Sequence, residues 1–253
     1  MSRVEDAGLN ASAPPQQRWM DGWLLRYLPG KARRARCINA VAAGRMPLAE
    51  KLALAAEVYR DAALPMIFRI TRFTQPAGVD AELAALGFAV VDPTLVLICP
   101  RLPVAADPAL PEGLHWAALS GDAYAETVGA LRESPPEHRR SHALRLQHSP
   151  VPYQGYAIRR SADGAVLACG QFAREGELVG LYDVFTHESA RGQGLASLLC
   201  ERLLSISIKE GANIGYLQVD AKNEPAMAPI SLSRPCRPCS SSNNRSSRWE
   251  KAQ

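Results

Sequence analysis

The 253 residues include 47% hydrophobic and 21% charged side chains with a formal net charge of +4, a composition typical of a globular protein long enough for two domains. No apolar run reaches the length of a membrane-spanning helix, and the basic excess lies in residues 229–253, so we expect neither a membrane protein nor a nucleic-acid-binding surface on the folded part. Residues 1–17 are polar and have no secretion-signal pattern, which predicts a disordered leader on a cytoplasmic protein.

Residues 18–100 predict a small α/β domain. The expected elements are strands at 22–28 and 35–41, a helix at 47–62, a strand at 64–70, a helix at 79–86, and a closing hairpin of 88–91 with 94–99. Arg33, Arg34 and Arg36 form a basic cluster that either lines a groove for an acidic substrate or lies on a solvated strand face; the residues alone favour the solvated face.

Residues 101–112 are rich in proline and alanine and predict a linker. The second domain, residues 113–228, begins with a strand, a helix at 122–131 and a hairpin around the turn dipeptide Asp163-Gly164. It continues with an apolar strand at 178–185, a glycine loop, a leucine-rich helix at 195–209 and a strand at 214–220.

The glycine loop is Arg191-Gly192-Gln193-Gly194-Leu195-Ala196. A strand that enters a glycine turn and then a helix leaves the first helical N–H groups without partners, and these donors together with the helix dipole attract phosphate. Gly192 and Gly194 let the backbone approach an anion, and Arg191 adds a forked cationic donor. The pattern therefore predicts a pyrophosphate site; the alternative is a strand–helix crossover whose glycines serve packing only.

This segment resembles the acetyl-CoA-binding motif of the GCN5-related N-acetyltransferases (GNAT), Q/R-x-x-G-x-G/A, through Arg191, Gly194 and Ala196. The following strand and Asn223-Glu224-Pro225-Ala226 also resemble that family, and Leu86-Gly87-Phe88 resembles its Leu-Gly-Phe in the first domain. The resemblance implies an α/β (α+β) chain of two GNAT-like domains, each a mixed, mostly antiparallel sheet flanked by helices. The first copy is degenerate, since its turn at 43–47 holds one glycine and Pro47, so we expect no cofactor there.

The resemblance also implies the site residues. Val184, Phe185 and Thr186 would hold the pantetheine arm and polarise the thioester, and Asn223 would contact the cofactor arm. The pyrophosphate would lie on Arg191, Gly192, Gln193, Gly194, Leu195, Ala196 and Ser197. Asp183 is the candidate general base, with a solvated structural carboxylate as the alternative. The family's usual acid, a tyrosine seven residues after the asparagine, is replaced by Ile230.

The expected function is an acyl-CoA-dependent N-acetyltransferase that moves an acetyl group from acetyl-CoA to a primary amine of a small molecule or protein. The alternative is a non-catalytic CoA-binding or interaction protein. We expect no metal, because Cys236 and Cys239 have C-x-x-C spacing without a second ligand pair, and we expect a monomer or homodimer.

The segment 229–253 departs from the family pattern. Seven of its 25 residues are serine and few are apolar, which predicts a disordered basic tail. One interpretation is a change of reading frame near 227–229 that removes the final strands and impairs the product; the other is an authentic divergent tail.

Overall fold

The architecture consists of one mixed β-sheet with helices on both faces. A computed structural model describes residues 2–103, 107–221 and 223, and the backbone of 245–251. In chain order the elements are α1 (Ser2–Ala11), β1 (Gln17–Met20), β2 (Trp23–Arg26), β3 (Ile38–Ala40), α2 (Leu48–Asp61), β4 (Ile67–Ile70), α3 (Val79–Ala85), β5 (Phe88–Cys99), β6 (Leu114–Leu119), α4 (Gly121–Leu131), α5 (Pro136–Gln147), β7 (Tyr153–Arg160), β8 (Val166–Glu175), β9 (Leu178–Thr186), α6 (Leu195–Lys209), β10 (Ile214–Asp220) and β11 (Arg245–Lys251). None of the helices among these described residues is long and apolar enough to cross a membrane.

Each half of the sheet repeats one arrangement. The strand order is β1-β2-β3-β4-β11-β5-β10-β9-β8-β7-β6. The first half (β1–β4 with α2 and α3) has one parallel pair, β3 with β4, and the second half (β6–β10 with α4–α6) has one parallel pair, β9 with β10. In both halves a helix connects the parallel strands, as a parallel connection requires. The expected fold class, α/β (α+β) with two mixed, mostly antiparallel sheets flanked by helices, is confirmed, and the two expected sheets are the halves of one continuous sheet.

The two half-sheets are joined by long-range strand pairing. β5 pairs antiparallel with β10 from Thr94 to Cys99 and with β11 from Phe88 to Leu95, and β11 pairs antiparallel with β4. The expected closing hairpin of 88–91 with 94–99 is therefore wrong: the chain runs through as one strand. Asp92, at φ +48°, lies at the register shift between β5 and β11, so the Asp92-Pro93 dipeptide forms an irregularity rather than a turn.

The expected disordered leader is also wrong for residues 2–11. These residues form α1, whose Val4, Ala7 and Ala11 are buried. Val4 and Ala7 pack with Val96, Leu178 and Tyr216, which belong to β5, β9 and β10. Their spacing of three and four residues is helical. The sequence pattern did not predict this helix because its apolar stripe is short and lies in a polar segment. The residues that bury the stripe are also far along the chain.

Most of the segment predicted to be a disordered tail lies outside the described residues, namely 229–244 and 252–253. Residues 245–251 form β11 between β4 and β5, which corrects the prediction of disorder for these seven residues. The proposed frame change at 227–229 also falls outside the described residues.

The core is divided between the halves. In the first half, Trp23, Phe68 and Phe88 make successive edge-to-face contacts with ring centroids 5.2 and 5.6 Å apart. In the second half, Leu195, Leu199 and Leu203 of α6 pack on the sheet together with Phe172 and Val179. This packing fixes the start of α6 beside the end of β9.

Candidate functional site

A bulge interrupts β9 close to its end. Tyr182 lies opposite Gln171 and Phe185 lies opposite Cys169, so Asp183 and Val184 together face the single residue Gly170. Asp183 has φ +52°, which is uncommon for a residue other than glycine. The parallel pairing of β9 with β10 ends at Leu181–Leu217. Beyond this point β9 stays paired with β8 but no longer pairs with β10. A gap opens in the sheet.

A cavity of about 970 Å3, here called the first cavity, occupies this gap. Ten of the eleven residues expected to bind the cofactor line it: Val184, Phe185, Thr186, Arg191, Gly192, Gly194, Leu195, Ala196, Ser197 and Asn223. The eleventh, Gln193, is not in the lining, and its side-chain amide donates to the Ser189 carbonyl at 3.4 Å. The structure thus brings the glycine loop, the bulged strand and Asn223, three residues after the end of β10, to one cavity.

The glycine loop has the geometry needed for close approach by an anion. Gly192 and Gly194 have φ of +77° and +74°, and a Cβ at either position would meet no described atom within 4 Å. α6 begins directly after Gly194, whose carbonyl accepts from the N–H groups of Ser197 and Leu198. Within the described part of the chain, the N–H groups of residues 192–196 have no hydrogen-bond acceptor. These donors and the positive helix end can receive a phosphate.

Asp183 lies in a network of basic side chains. Its carboxylate oxygens are 3.1 Å from Arg132 Nη1, 3.5 Å from His142 Nε2 and 3.9 Å from Arg145 Nη2. Gln171 donates to the same carboxylate at 3.0 Å, and the Tyr124 hydroxyl donates to the Asp183 carbonyl at 2.9 Å. Burial raises the pKa of Asp183, but the His142 ring and the guanidinium groups of Arg132 and Arg145 outweigh burial and hold that pKa well below its usual range.

This setting opposes the general-base role expected for Asp183. A carboxylate that two arginines stabilise in its ionised form accepts a proton poorly. His142 is also affected: burial, with Arg145 and Arg132 nearby, lowers the pKa of His142 to about 4 against the opposing effect of Asp183. The geometry fits a carboxylate that balances the charge of the half-buried Arg132 and the buried Arg145.

A second cavity of about 520 Å3 adjoins the first. The two share a junction, defined here as Arg34, Arg132, Arg145, Asp183 and Asp220. Arg34 comes from the first half of the chain, in the turn at Arg33–Ala35, and reaches a cavity of the second half. Two members of the arginine cluster noted in the sequence, Arg33 and Arg34, thus line the first cavity, and the expectation of a solvated strand face is wrong for them. The run of arginines in the sequence was a signal for a basic site. That Arg34 reaches a cavity of the second half depends on the long-range pairing of the two half-sheets, which the local pattern does not show.

In the first half, the turn at 43–47 corresponds to the glycine loop of the second half, and a carboxylate of the chain itself binds to its N–H groups. The Asp21 carboxylate accepts from the N–H groups of Arg45 and Met46 at 2.9 Å, and Lys51 Nζ lies 2.9 Å away. The hydrogen bond from Lys51, with those from Met46 and Arg45, lowers the pKa of Asp21 to about 2. An internal carboxylate therefore uses the donors that a phosphate would need. Among the described residues no group of three or more His, Cys, Asp or Glu side chains could hold a metal ion.

Comparison with known proteins supports the same family. Residues 116–228 match the model of the acetyltransferase (GNAT) family. Among solved structures, a GCN5-related N-acetyltransferase from Kribbella flavida is similar over 100% of this chain and 95% of its own, with a TM-score of 0.64 and 15% identity. A tandem GNAT protein from the clavulanic acid biosynthesis pathway is similar over 81% of this chain and 70% of its own, with a TM-score of 0.63 and 18% identity.

A third structure, a functionally unknown conserved protein from Staphylococcus epidermidis, covers 92% of this chain and 91% of its own at a TM-score of 0.58 and 6% identity. At these identities the structural similarities establish the fold alone. No curated protein sequence gave a significant match. The family assignment therefore depends on the sequence match, which identifies an acetyltransferase (GNAT) domain in residues 116–228.

Proposed function

We propose that this protein binds acetyl-CoA in the first cavity and transfers the acetyl group to a primary amine. Acetyl-CoA-dependent N-acetylation is the general reaction of the family, and one observation carries the assignment to this chain. The gap beside the β9 bulge is lined by a glycine loop whose N–H groups, at residues 192–196, have no acceptor among the described residues. We propose that Arg191 and the N–H groups of the loop hold the pyrophosphate and that Val184–Thr186 and Asn223 hold the pantetheine arm.

Bound acetyl-CoA supplies an acetyl thioester. The amine nitrogen forms the new C–N bond as the C–S bond breaks, and the electron pair of that bond leaves with the sulfur. The chain must orient the amine and accept its proton. Asp183 and Asp220 are the two carboxylates at the junction, and we propose that one of them accepts this proton.

A titration calorimetry experiment tests the cofactor assignment. The double variant Arg191→Glu, Gly194→Asp places two carboxylates where the pyrophosphate should lie and is expected to weaken acetyl-CoA binding by about 100-fold or more. Arg191→Gln alone, which keeps the backbone unchanged, is expected to weaken binding by about tenfold. Arg60→Glu, on the exposed surface of α2 in the first half, is the matched charge-reversal control and should bind like the unmodified protein. Unchanged affinity in the double variant would contradict the proposal.

A non-catalytic CoA-binding protein is the second candidate. Two observations favour it. The Asp183 carboxylate is held in an ion pair with Arg132, and Ile230 stands at the position of the family's tyrosine acid. A thiol-release assay with a panel of amines separates the two functions: binding of acetyl-CoA without thiol release from any amine would favour the non-catalytic protein. We further propose that the protein acts in the cytoplasm, without a metal, as a monomer or homodimer.

A further inference from the structure

The helices α6 and α1 cover opposite faces of the sheet beside the gap. On β9, Leu181 packs with the residues of α6, whereas its neighbour Tyr182 packs with those of α1. On β10, Leu217 and Tyr216 are divided between the two helices in the same way. Neighbouring residues of a strand face opposite sides of a sheet, so each strand separately places α6 on one face and α1 on the other.

The first cavity passes through the sheet from one face to the other. Its lining includes Leu195 and Cys200 of α6 on one face, and Ser12, Tyr153 and Tyr182 on the face of α1. In the proposed complex the pyrophosphate lies at the start of α6 and the pantetheine arm lies in the gap. Because the arm then fills the gap, the acceptor must approach the thioester from the face that α1 covers.

Two tyrosine rings form a wall of the cavity on this face. Tyr153 and Tyr182, here called the tyrosine wall, have ring centroids 5.4 Å apart and planes at 64°. Tyr216 continues the series behind Tyr182, edge to face, at 6.2 Å and 86°. Both members of the wall line the cavity and are half-buried, so part of their surface is available to a molecule inside it.

The surface that the tyrosine wall offers is uncharged ring surface. The Tyr153 hydroxyl donates to the Ala11 carbonyl at 2.5 Å, and the hydroxyls of Tyr182 and Tyr216 form a hydrogen bond of 2.7 Å. Burial raises the pKa of Tyr153 and of Tyr182, so both rings are neutral. Because the hydroxyls are already bonded within the chain, the rings themselves are the part of the wall left for a ligand.

The basic residues beside the wall are also compatible with an aromatic ligand. The Arg145 guanidinium lies 5.7 Å from the centre of the Tyr153 ring and is held by the Ala11 carbonyl and the Tyr153 hydroxyl, each at 3.4 Å. The charge of Arg34 opposes the effect of burial on the pKa of both wall tyrosines, so Arg34 is near the wall as well. Guanidinium groups and aromatic rings both pack favourably on a further ring, whereas an aliphatic chain gains only from the area buried.

We infer that the tyrosine wall binds the body of the acceptor and that the acceptor is a primary amine bearing an aromatic ring. The ring would pack on Tyr153 and Tyr182, with the amine directed to the thioester at the gap. This inference rests on the proposed acetyl transfer and specifies its substrate class.

Thiol release with three matched amines tests the inference. Phenethylamine carries the ring, cyclohexylethylamine has a similar size without aromatic character, and ethylamine has no ring. We expect kcat/KM for phenethylamine to exceed that for ethylamine by about tenfold or more, through buried area, and that for cyclohexylethylamine by about threefold or more, through ring–ring contact. Equal values for phenethylamine and either of the other two amines, or a preference for cyclohexylethylamine, would overturn the inference.

Substitutions of Tyr182 test whether the wall causes the preference. Tyr182→Leu should abolish the preference for phenethylamine over cyclohexylethylamine, and Tyr182→Phe, which keeps the ring, should retain it. Tyr156→Leu is the matched control, because Tyr156 is half-buried on β7 and lines neither cavity, and it should keep the preference of the unmodified protein. A Tyr182→Leu variant with the full preference would contradict the inference. If that variant does not fold, the amine series on the unmodified protein still decides.

Failure of the inference and failure of the proposed function give different results. If the protein binds acetyl-CoA and acetylates the three amines alike, the function stands and the inference falls. If acetyl-CoA does not bind, or no amine releases thiol, the proposed function falls, and equilibrium dialysis of the three radiolabelled amines decides the inference. Preferential binding of phenethylamine that Tyr182→Leu abolishes supports it; equal or absent binding overturns it.

Discussion

His142 is held neutral beside the junction, and this makes stability dependent on pH. The pKa of His142 is lowered to about 4, whereas an imidazole in the unfolded chain titrates near 6.5. Between these values the unfolded chain binds a proton that the folded protein does not, so the free energy of unfolding falls as the pH falls from about 6.5 to about 4. The loss from this residue is at most about 3 kcal/mol.

Denaturant unfolding between pH 4 and pH 7.5 measures this effect. His142→Gln should flatten the pH dependence in that window, because a glutamine takes up no proton in either state. His115→Gln, which removes an exposed imidazole near Ser161, is the control and should keep the slope of the unmodified protein. An unchanged slope in His142→Gln would show that other groups cause the pH dependence.

Asp183 and Asp220 should respond differently to amide substitution. Asp183→Asn leaves Arg132 and Arg145 without a counter-charge and should lower the free energy of unfolding by about 1–3 kcal/mol. Asp220→Asn should lower kcat about 100-fold if Asp220 accepts the proton. Denaturant curves and thiol-release kinetics on both variants make the comparison. A 100-fold loss of kcat confined to Asp183→Asn, with ordinary stability, would restore Asp183 as the base.

Patterns of residues adjacent in sequence predicted many of the individual site residues. The glycine loop and the residues at the end of β9 could be identified because strand, turn and helix signals are adjacent in sequence. The role of Asp183 could not be inferred, because its partners Arg132, His142 and Arg145 lie about 40 to 50 residues away on α4 and α5. Arg34 was visible as part of a basic cluster, yet only the joined half-sheets place it at a cavity of the other half.

At the scale of elements, α1 contributes to stability through a buried ion pair. Glu5 of α1 pairs with Arg69 of β4, and both side chains are only 6% exposed. Glu5→Gln leaves the guanidinium of Arg69 buried without a charged partner, so we expect the free energy of unfolding to fall by about 3 kcal/mol. Denaturant unfolding measures the change, with Glu50→Gln on the exposed surface of α2 as the control.

A second substitution separates charge from packing in the same pair. If the cost comes from the uncompensated charge, replacing Arg69 by Met in the Glu5→Gln background should recover part of the lost stability. A double variant less stable than Glu5→Gln would show that Arg69 contributes mainly through packing. A Glu5→Gln variant as stable as the unmodified protein would mean that α1 does not depend on this pair.

The elements that sequence reasoning missed share one physical cause. α1, the unbroken β5 and β11 are each stabilised by partners distant in the chain: α1 by β4, β5, β9 and β10, and β11 by β4 and β5. Propensity and periodicity describe a segment in isolation, where α1 has a short apolar stripe and Asp92-Pro93 resembles a turn. The strand–helix–strand units were predictable because each carries its own complete pattern.

For the whole molecule, the continuous sheet predicts that the two halves unfold together. β11 is the strand through which β4 of the first half reaches β5, and β5 in turn pairs with β10 of the second half. Calorimetric unfolding of the full chain should therefore give one transition, with equal calorimetric and van't Hoff enthalpies. Two separate transitions in the full chain would contradict the coupling.

A truncation tests whether β11 provides this coupling. Removing residues 245–253 leaves the facing edges of β4 and β5 unpaired inside the sheet, which costs backbone hydrogen bonds and exposes edges prone to association. We expect the transition to split or to fall by about 10 °C or more. Removing only residues 252–253 keeps β11 and should change nothing. If both truncated chains melt like the full protein, β11 does not join the halves, and the contact through α1 must hold them together.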